Sequence, residues 1–504
     1  MNTNYPIAHE LFAELWSSLA GNEVWLDRVR FHGDGALPSP FAVTDFAAAT
    51  FAAAGAAVGE LLEAGGWPAS VIDVDRVMAS GWFHIFPPGP SQPLSGSQRK
   101  GAWQPPAIFA DGGPWLTDFQ TADGRWLRVQ GAFPTQRKRL ANALGTSLDL
   151  SEVAAAVRKY PGEEIEQKLV DAKTTVALSR TIAEWLTNPA GRAVHAEPIV
   201  QVEAAAADSG SSWEPTRGRP LAGIKVLDCT RVVAGPTGTR FLAACGAEVL
   251  RVDAPGSDES SGAGGRIPTD LMLGKRWAFL DLRRPEGKAR FLELLSEADV
   301  FVHTYRPGGI DELVPPKDRQ AARPDLVEVA LRAYGWSGPW QLRRGFDTLT
   351  QFSTGIAAAT QAWALEKPET RLPLVALGRL VDASRPRHMP VEALDLGSGY
   401  EIVAAAIRGL TRRLTTGKGS VSHLSLARTA AILTDKGVVP EQGPVIELPV
   451  QGPCEDRVYS SWVGPVRRLR FPVEIEGNPL FWEHPAECAG ASNPEWVTLS
   501  AHSS

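Results

Sequence analysis

The fold is decided by residues 220–256, which read PLAGIKVLDCTRVVAGPTGTRFLAACGAEVLRVDAPG. A short apolar run with β-branched residues at 224–229 predicts a strand, and after a Gly/Pro turn a helical pattern covers about 237–245. The helix is followed by Gly246, as helix ends often are, and then by a second predicted strand at 248–252. A unit of strand, helix and strand places its two strands parallel to each other. Ligands bind at the carboxyl ends of parallel strands.

The turn of this unit does not fit a dinucleotide-binding loop. That loop needs the pattern G-x-G-x-x-G and an acidic residue about 20 residues later, a role that Asp253 could fill. Here Gly235 and Gly238 stand three positions apart, and Pro236 removes an N–H donor from the loop that would hold a pyrophosphate. The sequence therefore argues against a nicotinamide-type site.

Length and composition indicate a globular protein of two or three domains. The chain has 504 residues, of which 44% are hydrophobic and 21% charged, and its net charge of −6 gives no support for nucleic-acid binding. The alanine-rich stretch 46–58 lies between Asp45 and Glu60, so we predict no membrane span, and we also predict no signal peptide. The four cysteines lack metal-ligand or framework spacing, and we therefore expect reduced thiols, no metal site and a cytoplasmic location.

Two distant segments share one layout. Residues 40–74 and 390–424 each predict a short apolar strand, an aspartate, a long helix of small residues, a glycine-containing turn and another strand. Aligned without a gap, Asp45 falls on Asp395 at a constant offset of 350 residues. The identities are few but lie at structurally demanding positions, so we interpret the pair as an internal repeat. Chance similarity of two alanine-rich helices is the alternative.

Strands and helices continue to alternate after residue 256. Strands are predicted at 277–282, 299–305 and 326–331, and Pro285 begins a helix that runs to about residue 298. Alternation of this kind predicts an α/β fold with a doubly wound, Rossmann-like parallel sheet.

A smaller α+β domain is predicted before that sheet. It is indicated by mixed strand and helix patterns at 122–129, 137–143 and 182–193. The predicted division is a partial region at 1–203 with the first aspartate helix and the small domain, a linker at 204–219, the Rossmann-like domain at 220–436 and an irregular extension at 437–504.

Residues 220–256 resemble the opening of the family III CoA-transferases, the group of the formyl-CoA, carnitine and bile-acid CoA-transferases. In that family a strand ending in Leu-Asp, here Leu227-Asp228, is followed by an Ala-Gly-Pro turn, a helix and Gly-Ala. Residues 334–340 (YGWSGPW) approximately match the family's glycine-rich segment. The resemblance implies an enzyme that moves CoA from an acyl-CoA to a carboxylic acid, with the CoA thioester as substrate, no tightly bound cofactor, and a homodimeric, interlocked assembly. The order is unusual, because an aspartate helix and a small domain also precede the nucleotide-binding half.

Asp395 is the predicted nucleophile. From the residues alone it is a helix N-cap, since Asp is among the best caps. The resemblance places the family's nucleophilic aspartate at this position, where the helix N-terminus is expected to keep its pKa low and the carboxylate ionised. Gly397 and Gly399 are expected to let a bulky thioester approach the backbone.

A second constellation is the run Arg344-Gly345-Phe346-Asp347. The resemblance implies that Asp347 assists proton or water handling and that Arg344 meets a CoA phosphate, although a solvated basic pair with Arg343 is the plainer interpretation. Racemases of the superfamily carry a histidine beside the acidic position, as a second base. Here that neighbour is Phe346, which favours a transferase over a racemase.

The resemblance also implies a set of CoA-binding residues. Basic side chains suit the 3′-phosphate and pyrophosphate of CoA, and Tyr305 suits adenine stacking. Three positions depart from the family, because Thr304, Glu312 and Ala254 stand where an asparagine and cationic contacts are expected, so Arg306 would have to compensate or the site is altered. The predicted CoA-binding residues are Val233, Ala234, Asp253, Lys275, Arg276, Arg283, Tyr305, Arg306 and Arg344.

Two alternatives to the transferase stay open at this point. One is an acyl-CoA racemase or isomerase of the same superfamily, and the other is a non-catalytic acyl-CoA-binding protein. The second aspartate, Asp45, is interpreted as a structural relic or a cap, because Ala47 and Ala49 replace the glycines of the other copy. We further expect residues 110–200 to cover the Asp395 site, since an open site would lose the acyl intermediate to water.

Overall fold

The helices of the protein lie before, between and after the strands of one large sheet. The computed structural model describes residues 4–85, 91–93, 115–208, 213–257, 269–306, 308–366, 375–376, 379–380, 384–440, 443–461 and 464–497. The helices are α1 (Pro6–Ser18), α2 (Val43–Ala64), α3 (Arg76–Trp82), α4 (Pro134–Leu144), α5 (Leu150–Val157), α6 (Gly162–Asp171), α7 (Ile182–Thr187), α8 (Pro189–Ala196), α9 (Ala234–Ala244), α10 (Pro285–Glu297), α11 (Ile310–Leu313), α12 (Pro316–Ala322), α13 (Asp347–Thr354), α14 (Ile356–Glu366), α15 (Ala393–Thr416) and α16 (Leu426–Asp435), with 3-10 turns at Glu23–Asp27 and Thr269–Met272.

The strands form one large sheet and several small ones. They are β1 (Val29–His32), β2 (Ile72–Asp75), β3 (Ser91–Pro93), β4 (Leu116–Gln120), β5 (Trp126–Gln130), β6 (Val176–Leu178), β7 (Gln201–Asp208), β8 (Lys225–Cys229), β9 (Glu248–Asp253), β10 (Lys275–Phe279), β11 (Val300–His303), β12 (Val327–Arg332), β13 (Val375–Ala376), β14 (Arg379–Leu380), β15 (Lys418–Ser425), β16 (Cys454–Tyr459), β17 (Val466–Leu469) and β18 (Val473–Ile475).

The large sheet has seven strands in the order β10-β9-β8-β11-β12-β15-β7. Every neighbouring pair is parallel except the edge pair β15 and β7. This confirms the predicted α/β class with a large, mostly parallel sheet. From β8 the chain first adds strands on one side and then, at β11, on the other, so the carboxyl ends of β8 and β11 meet at a topological switch point, where such sheets bind ligands.

The predicted linker and the predicted irregular extension both contain strands. Residues 204–208, placed in the linker, belong to β7, which pairs antiparallel with β15. The predicted extension 437–504 holds β16, β17 and β18, and β18 pairs with β2 from the N-terminal region. The composition of these segments is small or polar, but backbone pairing with distant strands still orders them.

The two aspartate helices and the elements after them match in position. Helix α2 begins at Val43 and α15 at Ala393, and β2 ends one residue before α3 just as β15 ends one residue before α16, each pair 350 residues apart. The short strand predicted before each aspartate is not formed in the described segments 36–42 and 384–392. Helix α2 is long and apolar enough to cross a membrane by length and composition, but 94% of its most apolar window is buried inside the protein, where α2 serves as a core helix.

The glycines after Asp395 serve helix packing. A Cβ at Gly397 would lie 2.4 Å from the ring of Phe46 on α2, and a Cβ at Gly399 would lie 2.7 Å from the carbonyl oxygen of Ala234 on α9. Helix α15 therefore touches both neighbours with its backbone. This corrects the expectation that these glycines leave room for a thioester.

The N-terminal half contributes to two separate apolar cores. Residues from α1 to α3 share one continuous apolar core with the large sheet and α15, as Phe46, Val226 and Leu396 show. A separate core belongs to the antiparallel sheet β4-β5-β6 with α4, α5 and α6, here called the small domain. The small domain packs on the segment that leads to Asp347, because Glu166 of α6 pairs with Arg343 at 2.6 Å.

Candidate active site

The first turn of α15 brings the two predicted catalytic aspartates together. One carboxylate oxygen of Asp347, Oδ2, accepts hydrogen bonds from the backbone N–H groups of Leu394 at 2.9 Å and of Asp395 at 3.0 Å. The other, Oδ1, accepts one from Nε2 of Gln351 at 2.5 Å. Asp347 is 2% exposed and Asp395 is 9% exposed. Asp347 thus caps α15 from another helix, and no side-chain cap comes from the N-cap residue, Glu392.

The pKa of Asp395 is raised, which corrects the expected low value. Burial raises it well above the ordinary range, and the charge of Asp347 raises it further. The backbone N–H groups at the start of α15 were expected to hold the Asp395 carboxylate, but they donate to Asp347 instead. Burial raises the pKa of Asp347 to about 6, against the opposing effect of its three N–H donors. Within the pair, Asp347 is therefore the group that more readily carries the negative charge, and Asp395 is the group that more readily holds a proton.

A third carboxyl group, which the sequence did not single out, lies beside this pair. Glu392 is the N-cap residue of α15, and its Oε2 is buried without a hydrogen-bond partner among the described residues. Burial raises the pKa of Glu392 well above its ordinary range, and the charges of Asp347 and Asp395 act in the same direction. The signal in the sequence was an acidic residue at the start of the aspartate helix.

The corresponding aspartate of the first copy is held in an ion pair. Oδ1 of Asp45 accepts a hydrogen bond from Nε of Arg76 at 2.6 Å, and both side chains are 2% exposed. Arg76 also donates through Nη1 to the carbonyl oxygen of Gly33 at 2.7 Å. In the second copy Leu426 stands 350 residues after Arg76, so Asp395 has no matching cation there. Asp45 is accordingly a buried ion-pair partner.

The loops after β8 and β11 meet beside α15. The backbone N–H of Arg231 donates to Oγ1 of Thr304 at 2.9 Å, which ties the two loops together at the switch point. Val233 and Ala234 follow in the first loop and are 9% and 5% exposed. Ala234 packs against Gly399, one turn beyond Asp395, so the predicted turn does lie next to the predicted nucleophile.

Two predicted CoA-binding residues are buried within the sheet. Nζ of Lys275 is 3.1 Å from Oδ2 of Asp228 and donates to Oγ1 of Thr239 at 2.6 Å, and the whole side chain is 0% exposed. Oδ2 of Asp253 accepts hydrogen bonds from Arg251 and from the indole of Trp277, both at 2.8 Å. Buried charges need such partners, and these partners leave neither side chain open to a ligand. Both side chains are held within the sheet, contrary to the prediction that they contact CoA.

Two further predicted cations lie away from the switch point. Arg276 binds Oε1 of Glu248 at 3.3 Å and the carbonyl oxygen of Glu495 at 2.6 Å, near the amino end of β9, the edge opposite to the switch point. Arg283 follows β10 and pairs with Asp281 at 2.7 Å, with 69% of its side chain exposed. The structure does not bring either residue to Asp395.

The remaining predicted residues flank the switch point. Tyr305 follows β11, is half-buried, and packs against the apolar cluster of Leu227 and Cys229, so burial raises its pKa. Arg306 is exposed and Arg344 is half-buried. The roles of these three residues stay predictions.

A buried pair of carboxyl groups lies beside the switch point of a doubly wound sheet. This is the position at which such sheets bind ligands. The family model for CoA-transferase family III matches residues 221–456, which include both aspartates. Residues 221–456 are thus similar to CoA-transferase family III, the family that the motifs predicted.

Individual transferases are also similar to this chain. An acetyl-coenzyme A transferase of Hypoxylon pulicicidum is 31% identical over 283 residues, which are 50% of this chain and 46% of that protein. An acyl-CoA transferase of Gibberella moniliformis is 25% identical over 480 residues, or 87% of this chain and 79% of that protein. A crystal structure from Mycobacterium tuberculosis is 30% identical and covers 42% of this chain and 56% of its own, with a TM-score of 0.34. The chain thus spans about half the length of the Hypoxylon relative.

Proposed function

We propose that this protein transfers CoA from an acyl-CoA to a carboxylic acid, with Asp395 as nucleophile and Asp347 as its partner. The main observation in support is that Asp347 accepts hydrogen bonds from the backbone N–H groups of Leu394 and Asp395. All three residues lie in the segment that matches the family model. The named relatives are transferases. This similarity does not favour a racemase or a non-catalytic binding protein.

The proposed reaction has four balanced acyl transfers. The Asp395 carboxylate attacks the thioester carbonyl and expels CoA thiolate, leaving an acyl-aspartyl anhydride. Thiolate then attacks the aspartyl carbonyl, which forms an aspartyl thioester and releases the donor acid. The acceptor carboxylate attacks this thioester and expels thiolate again, and the thiolate attacks the acceptor carbonyl. The product is the acceptor thioester, and the Asp395 carboxylate is restored.

The first of these steps requires that Asp395 lose its proton. Asp347 keeps the negative charge because it receives three N–H donors, and that charge raises the pKa of Asp395. The two carboxyl groups therefore set the pH at which the nucleophile becomes available. The same low polarity that raises the pKa also makes the carboxylate, once formed, a more reactive nucleophile.

Transfer activity is expected to rise with pH through the raised pKa of Asp395. In Asp347→Asn the charge that raises this pKa is gone, so the pKa falls, Asp395 ionises at lower pH, and the acidic limb of kcat/KM moves to lower pH. We expect kcat to fall about 100-fold, because the partner of the nucleophile is lost. The measurement is a pH profile of kcat/KM for both proteins, and an acidic limb that does not move would contradict the assignment of Asp347.

Product analysis separates this proposal from its alternatives. The protein is incubated with an acyl-CoA and a panel of carboxylic acids, and new acyl-CoA is measured by mass spectrometry. Exchange of the α-proton in deuterium oxide without transfer would indicate a racemase. Binding of CoA without either reaction would indicate a binding protein.

Homodimeric assembly and a cytoplasmic location belong to the same proposal. The cysteines Cys229, Cys245, Cys454 and Cys488 are unpaired, which supports a reducing compartment. Light scattering coupled to gel filtration tests the assembly, with a single-chain mass as the contradicting result.

A further inference from the structure

Arginine side chains from separate parts of the chain converge beside the switch point. Arg231 follows β8 and Arg306 follows β11, two strands that pair Cys229 with His303. The hydrogen bond from Arg231 N–H to Thr304 Oγ1 fixes the two loops side by side. Arg344 lies three residues before Asp347 in the chain. Arg231 and Arg306 thus follow neighbouring strands at the edge of the sheet where Ala234 of the first loop packs against Gly399, one turn beyond the proposed nucleophile.

A fourth arginine comes from the small domain. Arg139 lies on α4, which begins just after Phe133, and the ring of Phe133 is 6.3 Å from that of Phe346, the residue before Asp347. Nη1 of the Arg139 guanidinium donates to the carbonyl oxygen of Lys173 at 3.5 Å, so one of its five N–H groups is held by its own domain. The contact between the two phenylalanines holds α4 against the Asp347 segment.

The charges of these arginines act on one another. Partial desolvation lowers the pKa of Arg306 although the residue is exposed overall, the charges of Arg139 and Arg231 lower it further, and Glu312 partly offsets them. Burial lowers the pKa of Arg344 to about 10, with Arg306 and Arg139 acting in the same direction. Like charges gathered in this way repel one another, and a bound anion removes that repulsion.

We propose that Arg139 of the small domain binds a phosphate group of CoA together with Arg306 and Arg344. The inference rests on the proposed function, since it assigns the phosphorylated nucleotide end of the same substrate. It also accounts for the loss of the expected basic residue at Glu312, because Arg139 and Arg231 bring cations to this place from other parts of the chain. The small domain then takes part in recognising CoA as well as packing on the Asp347 segment.

The test compares Arg139→Gln with Lys138→Gln, which removes the same charge from the neighbouring, exposed position of α4. Isothermal titration is done with CoA and with adenosine 3′,5′-bisphosphate. We expect Arg139→Gln to weaken the binding of CoA about 10-fold or more, as the loss of one charge-assisted hydrogen bond does, and Lys138→Gln to leave it unchanged. In the transfer assay, Arg139→Gln should raise KM for acyl-CoA and leave kcat nearly unchanged.

The outcomes separate this inference from the transferase proposal. Unchanged affinity of Arg139→Gln for both nucleotides, with transfer intact, would overturn the phosphate contact and leave the transferase standing. An equal rise in KM for acyl-pantetheine, which lacks the nucleotide, would also overturn it, since the effect would then be one of folding. Arg139-dependent nucleotide binding without any transfer would support the contact and refute the transferase. A wild-type protein that binds neither nucleotide would overturn both.

Discussion

Asp395→Ala is expected to lower the rate of CoA transfer by about 10⁴-fold or more, because it removes the carboxylate that we propose forms the anhydride. Alanine is preferred to asparagine here, since asparagine can deamidate and restore the aspartate. Secondary structure and melting behaviour should stay close to wild type, because the first-turn amides of α15 are capped by Asp347 and not by Asp395. The measurement is steady-state transfer together with trapping of the acylated enzyme by hydroxylamine. The trapped hydroxamate should form at position 395 in the wild type only.

The duplicate helix supplies the matched control. Asp45→Asn changes the residue that stands 350 positions earlier, at the same place in α2. It should keep kcat within a few-fold of wild type but lose stability by about 3 kcal/mol, because the buried charge of Arg76 loses its partner. When kcat is measured below the melting temperature of the variant, the loss of stability does not affect it. Full activity in Asp395→Ala, with loss in Asp45→Asn, would assign catalysis to the first copy.

The parallel sheet was predictable because its central strands and the helices between them are continuous in sequence. Residues 220–256 carry a strand, a turn, a helix and a second strand in one continuous pattern, and these became β8, α9 and β9. Strand β7 could not be predicted in the same way. Its residues Gln201–Asp208 include a run of alanines, and what orders them is antiparallel pairing with β15, more than 200 residues later.

The two aspartates of the proposed catalytic pair were named by resemblance, but their electrostatics could not be predicted from the sequence. A helix N-terminus lowers the pKa of a carboxylate only if the carboxylate receives its amides, and here the amides of Leu394 and Asp395 point to Asp347. Which carboxylate receives them depends on the packing of α13 against α15. For the same reason, the sequence could not show that Lys275 is enclosed by Asp228 and Thr239.

Contacts between the small domain and the sheet lie beyond a sequence argument. Arg139 and Arg306 are far apart in the chain, and nothing in either segment marks them as neighbours. The Glu166 and Arg343 pair, which fixes the small domain beside Asp347, is equally distant in sequence. This pair therefore contributes to the packing of the small domain on the segment before Asp347.

Glu166→Gln is expected to destabilise the protein by about 3 kcal/mol at neutral pH. Glu166 lies between two buried cations, with Oε1 at 2.6 Å from Nη2 of Arg343 and Oε2 at 2.5 Å from Nη2 of Arg180, and Oε1 also accepts from the backbone N–H of Leu178 at 2.7 Å. Burial alone would raise the pKa of Glu166, but these cations lower it to about 2 from the ordinary 4.5. Removing the carboxylate leaves the charge of Arg343 buried without its partner.

The effect of Glu166→Gln should depend on pH in a defined direction. The folded protein holds the ionised form of Glu166 at a lower pH than the unfolded chain does, so its stabilisation is complete above about pH 4.5 and is lost as the pH falls towards 2. Urea unfolding should therefore show a difference between variant and wild type that is about 1 kcal/mol smaller at pH 4 than at pH 7. The matched control is Glu163→Gln on the same helix, which pairs with Arg180 at 2.8 Å but has 64% of its side chain exposed, and should cost less than about 1 kcal/mol. Equal losses in the two variants, or a difference that grows as the pH falls, would show that the Glu166 pair does not hold the small domain over the Asp347 segment.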